Sequence, residues 1–131
     1  MKEVIEVPVF SEAGRKRGLP ISAATRANGF IFVSGTPPLD LQTGELVKGD
    51  ISVQTRASLK AVEHSLKGAG ATLDDVVQVR IYAVNSGMFF AINEVYKEFF
   101  KSNFPARTFV PVASWPMEFD VEIECMAVAR S

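Results

Sequence analysis

Residues 104–129 read FPARTFVPVASWPMEFDVEIECMAVA, and the rest of the chain is organised around this stretch. A Phe-Pro-Ala turn places Arg107 at the start of an apolar run, and Glu122 and Glu124 follow in a segment where acidic and apolar residues alternate. That alternation is typical of a β-strand. A guanidinium presents a planar fork of donors that matches a carboxylate, so Arg107 is a candidate anchor for a small organic acid.

The spacing leaves two roles open for these charged residues. A glutamate on a strand beside Arg107 can move a proton, or hold a water molecule, next to an anchored acid. Alternatively, Arg107 pairs with Glu122 or Glu124 across two strands, and on spacing alone this ion pair is the commoner outcome.

Several motifs resemble those of a known family. The run PARTFV at 105–110, followed by VEIE at 121–124, is similar to the signature of the Rid (YjgF-type) family of reactive imine and enamine deaminases. The strand end FVSGT at 32–36, the turn TGE at 43–45 and the helix INEVYKEFF at 92–100 are similar to further family motifs in the same order. Together they are far more specific than the Pro-Ala-Arg tripeptide.

The resemblance implies roles for individual residues. Arg107 binds the substrate carboxylate, and Glu122 positions the hydrolytic water. Asn93 resembles a family asparagine near the ligand, although a helix side chain bonded to the neighbouring loop accounts for it equally well. Gly35 supplies backbone donors or room beside the ligand, or it serves a bend in the strand.

Two departures from the family pattern concern the wall of the site. Ile21 stands where well-known members have a tyrosine that lines the site, and Phe109 stands where some members have a cysteine. The backbone near Phe109 is expected to complete the pocket. These differences affect the substrate side chain more than the carboxylate anchor.

The resemblance implies a hydrolase of C=N bonds, similar to 2-iminobutanoate/2-iminopropanoate deaminases. Such an enzyme converts 2-aminoacrylate-type enamines and 2-imino acids to 2-oxo acids and ammonia, with no metal and no organic cofactor. Its partner is a small imino or 2-oxo acid. A trimeric module that binds small carboxylates without turnover is an alternative, which Ile21 in place of the tyrosine makes credible. A pathway-specific deaminase, for instance of 2-aminomuconate, is another.

Length and composition limit the kinds of protein that this chain can be. A chain of 131 residues with 47% hydrophobic residues predicts a single domain over 1–131 with a proper core. The net charge of −1 gives no general attraction to nucleic acid or to a membrane surface. A lone cysteine, Cys125, excludes an intrachain disulfide, and with the single His64 it cannot form a structural zinc site. Without a long apolar run or a signal peptide, we expect a soluble, cytoplasmic protein.

Periodicity predicts an α+β fold. The predicted elements, in chain order, are an edge strand over 2–10, a solvated basic loop over 11–20, a short strand over 21–26, an Asn28-Gly29 hairpin turn, a buried strand over 30–34, a helix over 51–67, a strand over 72–84 with Val77, Val79 and Ile81 on one face, a helix over 86–100, and strands over 108–113 and 120–129. This order predicts one mixed β-sheet with two helices on one face.

The last predicted strand is apolar in both registers. Val121 and Ile123 lie on one face, whereas Met126 and Val128 join the glutamates on the other. Two helices cover one face of the sheet, so another subunit is expected to cover the second. The resemblance agrees, since it implies a chorismate-mutase-like fold and a homotrimer whose sheets line the inside and whose ligand sites lie between subunits.

Overall fold

The computed structural model describes residues 1–130. They form a six-stranded sheet in the order β1-β2-β3-β6-β4-β5, in which β4 and β5 are parallel and the other pairs are antiparallel. The elements are β1 (Glu3–Ile5), α1 (Phe10–Lys16), β2 (Ala24–Ala27), β3 (Phe30–Thr36), α2 (Ile51–Gly68), β4 (Val76–Ala83), α3 (Phe89–Phe99), β5 (Ala106–Pro111) and β6 (Val121–Val128), with 3-10 turns at Leu73–Asp75 and Ser86–Met88. The predicted α+β fold with one mixed sheet is confirmed.

Strand β6 runs through the middle of the sheet, between β3 and β4. Its odd-numbered positions from Val121 to Ala127 are buried beneath the helices, while Glu122, Glu124 and Met126 are half-buried on the other face. The two registers predicted from the sequence are therefore present. A central strand bonded on both edges holds these side chains in fixed register.

The two long helices form the layer on one face of the sheet. Helix α2 begins where the Asp50 side chain accepts a hydrogen bond from the Val53 backbone N–H at 2.9 Å. It buries Leu59 and Leu66 in the core, and α3 buries Ile92. No helix within residues 1–130 is long and apolar enough to cross a lipid bilayer.

A third α-helix, α1, occupies most of the segment predicted to be a loop, so the prediction of two helices was wrong. This helix is only seven residues long and buries a single large side chain, Phe10, so it has no apolar periodicity to detect. Its basic residues bind carboxylates: Arg15 pairs with Glu6 at 2.8 Å, and Lys16 pairs with Glu12 at 3.7 Å. Both of these basic side chains are therefore already paired on the surface.

The predicted hairpin turn is confirmed. Asn28 and Gly29 both have positive φ angles, 51° and 81°, and they join β2 to β3 with Ala27 opposite Phe30. Positive φ at both central residues is the geometry that selects an Asn-Gly pair in a tight hairpin.

A bulge in β4 corrects the predicted face of that strand. The pairing of β4 with β6 shifts between Val76 and Gln78, so Val76, Val79 and Ile81 are buried and Val77 is exposed. The extra residue of a bulge reverses the alternation on one side of it. Periodicity alone cannot show where such a residue is inserted.

The second face of the sheet is open within one chain and carries exposed apolar side chains. Phe30 lies opposite Val128, and Phe32 lies opposite Met126. The two phenylalanines and Val128 are exposed, so the strand predicted to be buried over 30–34 buries only the face that carries Ile31 and Val33. A contiguous apolar patch of this kind is typical of an interface with another molecule.

Candidate functional site

Arg107 lies at the start of β5 on the face covered by α3. The carbon at the centre of its guanidinium is 4.8 Å from the centroid of the Tyr96 ring and 5.6 Å from that of Phe89. Stacking on two aromatic rings of α3 holds the planar fork in one orientation. Within residues 1–130 no carboxylate pairs with Arg107.

The guanidinium borders a cleft of about 520 Å³ between α3 and the start of β5. Asn93 lines the same cleft, three residues before Tyr96 on the helix. Asn93 Oδ1 and the Tyr96 hydroxyl are buried, and neither has a hydrogen-bond partner among residues 1–130. Asn93 Oδ1 therefore does not accept a hydrogen bond from the neighbouring loop, and the residue lines the cleft that also holds Arg107.

Glu122 lies on the opposite face of the sheet from Arg107. Strand β4 separates the two strands: Arg107 is in register with Val79, which is in register with Cys125. Residues in register share a face, and Val79 and Cys125 are buried beneath the helices. Glu122 is offset by an odd number of residues from Cys125 and so faces away from them. Within one chain, the expected ion pair between Arg107 and a glutamate of β6 therefore does not form. The expectation that the two residues lie on adjacent strands was also wrong, because β4 lies between β5 and β6.

Gly35 leaves the space that the Glu122 carboxylate occupies. The residue lies in a bulge of β3, between Val33 and Thr36, where the pairing with β6 shifts. A Cβ atom built on Gly35 would lie 2.8 Å from Glu122 Cδ and would overlap Oε1. The sequence left open whether Gly35 supplies backbone donors, makes room for another group or serves a bend. The geometry favours the second role, because the missing side chain leaves space for the Glu122 carboxylate.

Burial raises the pKa of Glu122, and the neighbouring Glu124 raises it further. Glu124 accepts a hydrogen bond from the Tyr82 hydroxyl, which occupies that second carboxylate. Within residues 1–130 Glu122 has no cationic partner. A half-buried carboxylate with a raised pKa is well suited to exchange a proton with water.

Ile21 lines the same cavity as Gly35. Its side chain is exposed, and it lines a cavity of about 400 Å³ together with Gly35. The Ser34 hydroxyl donates a hydrogen bond to the Ser22 carbonyl at 2.5 Å, which ties the segment before β2 to the bulge. We call Glu122, Gly35 and Ile21 the glutamate half-site.

Phe109 lies on the same face of the sheet as Arg107. Its ring packs on Phe89 with centroids 5.2 Å apart, on the face that carries Arg107. Strand β5 is an edge strand, so its outward backbone groups point away from the sheet and are available to a ligand. We call Arg107, Asn93, Tyr96 and the backbone at Phe109 the arginine half-site. The six candidate residues thus form two groups that one chain does not bring together.

The sequence did not indicate the aromatic support of Arg107. Phe89 and Tyr96 lie in the predicted helix over 86–100, and nothing in the sequence indicates that their rings contact Arg107. Asn93 and Tyr96 are three residues apart and therefore lie on one face of α3. This spacing is the only feature of the sequence that could have linked Tyr96 to the site. That Arg107 lies over this face depends on the position of β5 in the sheet.

Cys125 is poorly suited to act as a nucleophile. The side chain is buried, and burial raises its thiol pKa to about 12, so it remains protonated. Within residues 1–130 no group of three or more His, Cys, Asp or Glu residues is arranged to hold a metal ion.

The chain was compared with known families and structures. A family model described as endoribonuclease L-PSP matches residues 18–129. A RutC family protein of Pyrococcus horikoshii is 42% identical over 127 residues, which cover 97% of this chain and 98% of that protein. A Rid family protein from Yersinia pestis has a structure that matches 98% of this chain and 100% of its own with 35% identity and a TM-score of 0.87.

The chain belongs to the Rid family. The family match spans both half-sites, from Ile21 to Glu122. Among the relatives, the human 2-iminobutanoate/2-iminopropanoate deaminase is 36% identical over 109 residues, covering 83% of this chain and 80% of that protein. This Rid chain is thus similar to curated imino-acid deaminases, as the sequence motifs implied.

Proposed function

We propose that the protein is a deaminase of 2-imino acids and of the 2-aminoacrylate-type enamines that tautomerise to them. Water adds to the imine carbon, the C–N bond breaks, and a 2-oxo acid and ammonia are released. One observation carries the proposal: Arg107 lines an open cleft, Glu122 is half-buried against Gly35, and within residues 1–130 neither forms a salt bridge.

Two chains are needed to complete the site. Arg107 and Glu122 lie on opposite faces of one sheet, so an anchored acid reaches the carboxylate of a different chain. The arginine half-site of one chain and the glutamate half-site of the next form a head-to-tail contact, which gives a ring when the rotation between neighbouring chains closes. We propose a homotrimer, with the open faces of the sheets inside in the chorismate-mutase-like manner and a site at each interface.

The residues have distinct roles in this proposal. Arg107 binds the carboxylate of the imino acid with both arms of its fork and draws electron density from the adjacent carbon. Glu122 of the next chain orients the attacking water and transfers its proton towards the leaving nitrogen. Asn93 and the backbone at Phe109 and Gly35 complete the pocket. Such imines already hydrolyse in water, so positioning and proton transfer suffice for useful acceleration.

The direct test is a coupled assay. An amino-acid oxidase with catalase generates 2-iminopropanoate from alanine, and semicarbazide traps whatever imine has not been hydrolysed. The protein is expected to lower semicarbazone formation in proportion to its concentration. If it binds the 2-oxo acid in calorimetry but leaves the imine lifetime unchanged, the protein is a carboxylate-binding module and the deaminase proposal fails.

Gly35→Ala is expected to lower kcat/KM with little loss of the folded assembly. The new methyl group displaces the Glu122 carboxylate, and a displacement of about 1 Å costs on the order of a hundredfold in rate. Gly68→Ala is the matched control, because Gly68 lies at the end of α2, lines neither cavity, and a Cβ there would meet its nearest neighbour at an ordinary 3.6 Å. The imine assay and light scattering on both variants check this; equal activity in both would show that the position of Glu122 does not matter.

Cys125→Ala is expected to keep deamination within about threefold of the parent while lowering the thermal midpoint, because it removes buried sulfur volume. Since burial raises the thiol pKa to about 12, the folded protein should also resist alkylation by iodoacetamide near pH 8, whereas the unfolded chain should react. Loss of activity in an intact oligomer would instead identify Cys125 as a participant in the reaction.

A further inference from the structure

The cavity beside Gly35 extends well beyond the room that a small imino acid needs. Its volume of about 400 Å³ lies within the range of roughly 300–1,000 Å³ that is typical of small-molecule pockets. It is bounded by α1, the end of β3 and the connection over 37–48. Gly35 both lines this cavity and lies against the Glu122 carboxylate, so the cavity and the candidate catalytic group adjoin at this residue.

Apolar side chains from separate parts of the chain converge on this cavity. Ile21 is 63% exposed and Met117 is 41% exposed, and both line it together with Leu19, Pro37 and Leu39. These residues come from the segment before β2, the connection after β3 and the turn before β6. Convergent exposed apolar groups on a concave surface are typical of a site that binds an apolar group.

The charged side chains at the rim of the cavity are already paired. Glu6 and Arg15 form a bidentate pair with distances of 3.0 and 2.8 Å. Arg17 lies 3.7 Å from Glu45, and Lys48 lies 3.2 Å from Glu118. Within residues 1–130 the rim therefore offers no uncommitted cation to a second carboxylate, which disfavours acidic substrate side chains.

The arginine half-site has a matching apolar border. Phe90 is 76% exposed and Phe104 is 64% exposed, and both line the cleft that holds Arg107. An acid bound by Arg107 is thus flanked by aromatic rings on its own chain.

We propose that the preferred substrates are 2-imino acids with a bulky apolar side chain, branched aliphatic or aromatic, which occupies the cavity beside Gly35. This inference rests on the proposed deaminase function. The imine R–C(=NH)–COO⁻ takes up one water and releases ammonia to give R–C(=O)–COO⁻, with the group R in the cavity. The enzymes that supply such substrates are those that oxidise apolar amino acids at the α carbon.

The test is a comparison of substrates in the semicarbazide assay. Imino acids are generated from alanine, leucine and phenylalanine, and kcat/KM is measured for each. We expect the leucine or phenylalanine imine to exceed the alanine imine by about tenfold or more, since each added methylene in an apolar pocket is worth roughly tenfold or more. An alanine imine hydrolysed as fast as the larger ones overturns the inference and leaves the deaminase function standing. Acceleration of none of them overturns both.

Two leucines provide a matched pair of variants. Leu19 is 37% exposed and lines the cavity, whereas Leu41 is 38% exposed and does not. Leu19→Asn is expected to lower the leucine-to-alanine ratio of kcat/KM several-fold, and Leu41→Asn is expected to leave it unchanged. If Leu19→Asn fails to fold, Met117→Asn serves the same purpose. Dissociation of the oligomer by these cavity variants, with an unchanged ratio, would identify the cavity as a subunit contact and overturn the inference.

Discussion

Chains carrying Arg107→Ala and chains carrying Glu122→Gln, unfolded together and refolded, are expected to recover deaminase activity that each variant alone lacks. The recovered activity should be about a quarter of the parent level, because random assembly gives one adjacent pair in four the intact arginine and the intact glutamate. The reason lies in the sheet: β4 separates β5 from β6, and register places the two side chains on opposite faces.

The experiment has internal controls. Mixing the folded variants without unfolding should recover nothing until subunits exchange. Refolding Arg107→Ala together with a chain that carries both substitutions should recover nothing at any time, since that mixture contains no intact Arg107. Native mass spectrometry establishes that mixed oligomers have formed. Mixed oligomers without activity would mean that both groups of a site come from the same chain, contrary to the proposal.

Arg107→Lys is expected to lose most of the activity although it keeps the charge. Lysine lacks the planar fork that binds a carboxylate with two parallel hydrogen bonds, and it stacks less well on Tyr96 and Phe89. Arg107→Ala should lose at least as much activity, with a fall in kcat/KM that corresponds to roughly 2–4 kcal/mol of transition-state stabilisation.

Thermal midpoints measured on the same variants distinguish an anchor from a structural ion pair. Within residues 1–130 Arg107 pairs with no carboxylate, so its replacement leaves no buried charge of its own chain unpaired. The loss should be limited to the stacking on two rings, about 0.5–2 kcal/mol. Arg56→Lys is the control, since Arg56 forms a bidentate pair with Glu98 on the surface, and it should leave hydrolysis unchanged. Normal hydrolysis with a lowered midpoint in Arg107→Lys would exclude Arg107 as the anchor.

Local patterns in the sequence determined most of the elements. The alternation over 121–128 specified a strand with one buried face, and Asn28-Gly29 specified a tight hairpin, since both features depend on neighbouring residues. Helical periodicity located α2 and α3 for the same reason. The motifs around Arg107 and Glu122 indicated the family, and the family match over 18–129 confirmed it.

Features that depend on distant residues were decided by the tertiary structure. The short helix α1 and the bulge at Val77 carry no periodic signal of their own. The strand order is a choice among long-range pairings that no local pattern encodes, because each strand can satisfy its backbone hydrogen bonds with several partners. That order placed β4 between Arg107 and Glu122 and put them on opposite faces of the sheet. The sequence by itself could name both residues, but only the folded sheet shows that one chain cannot bring them together.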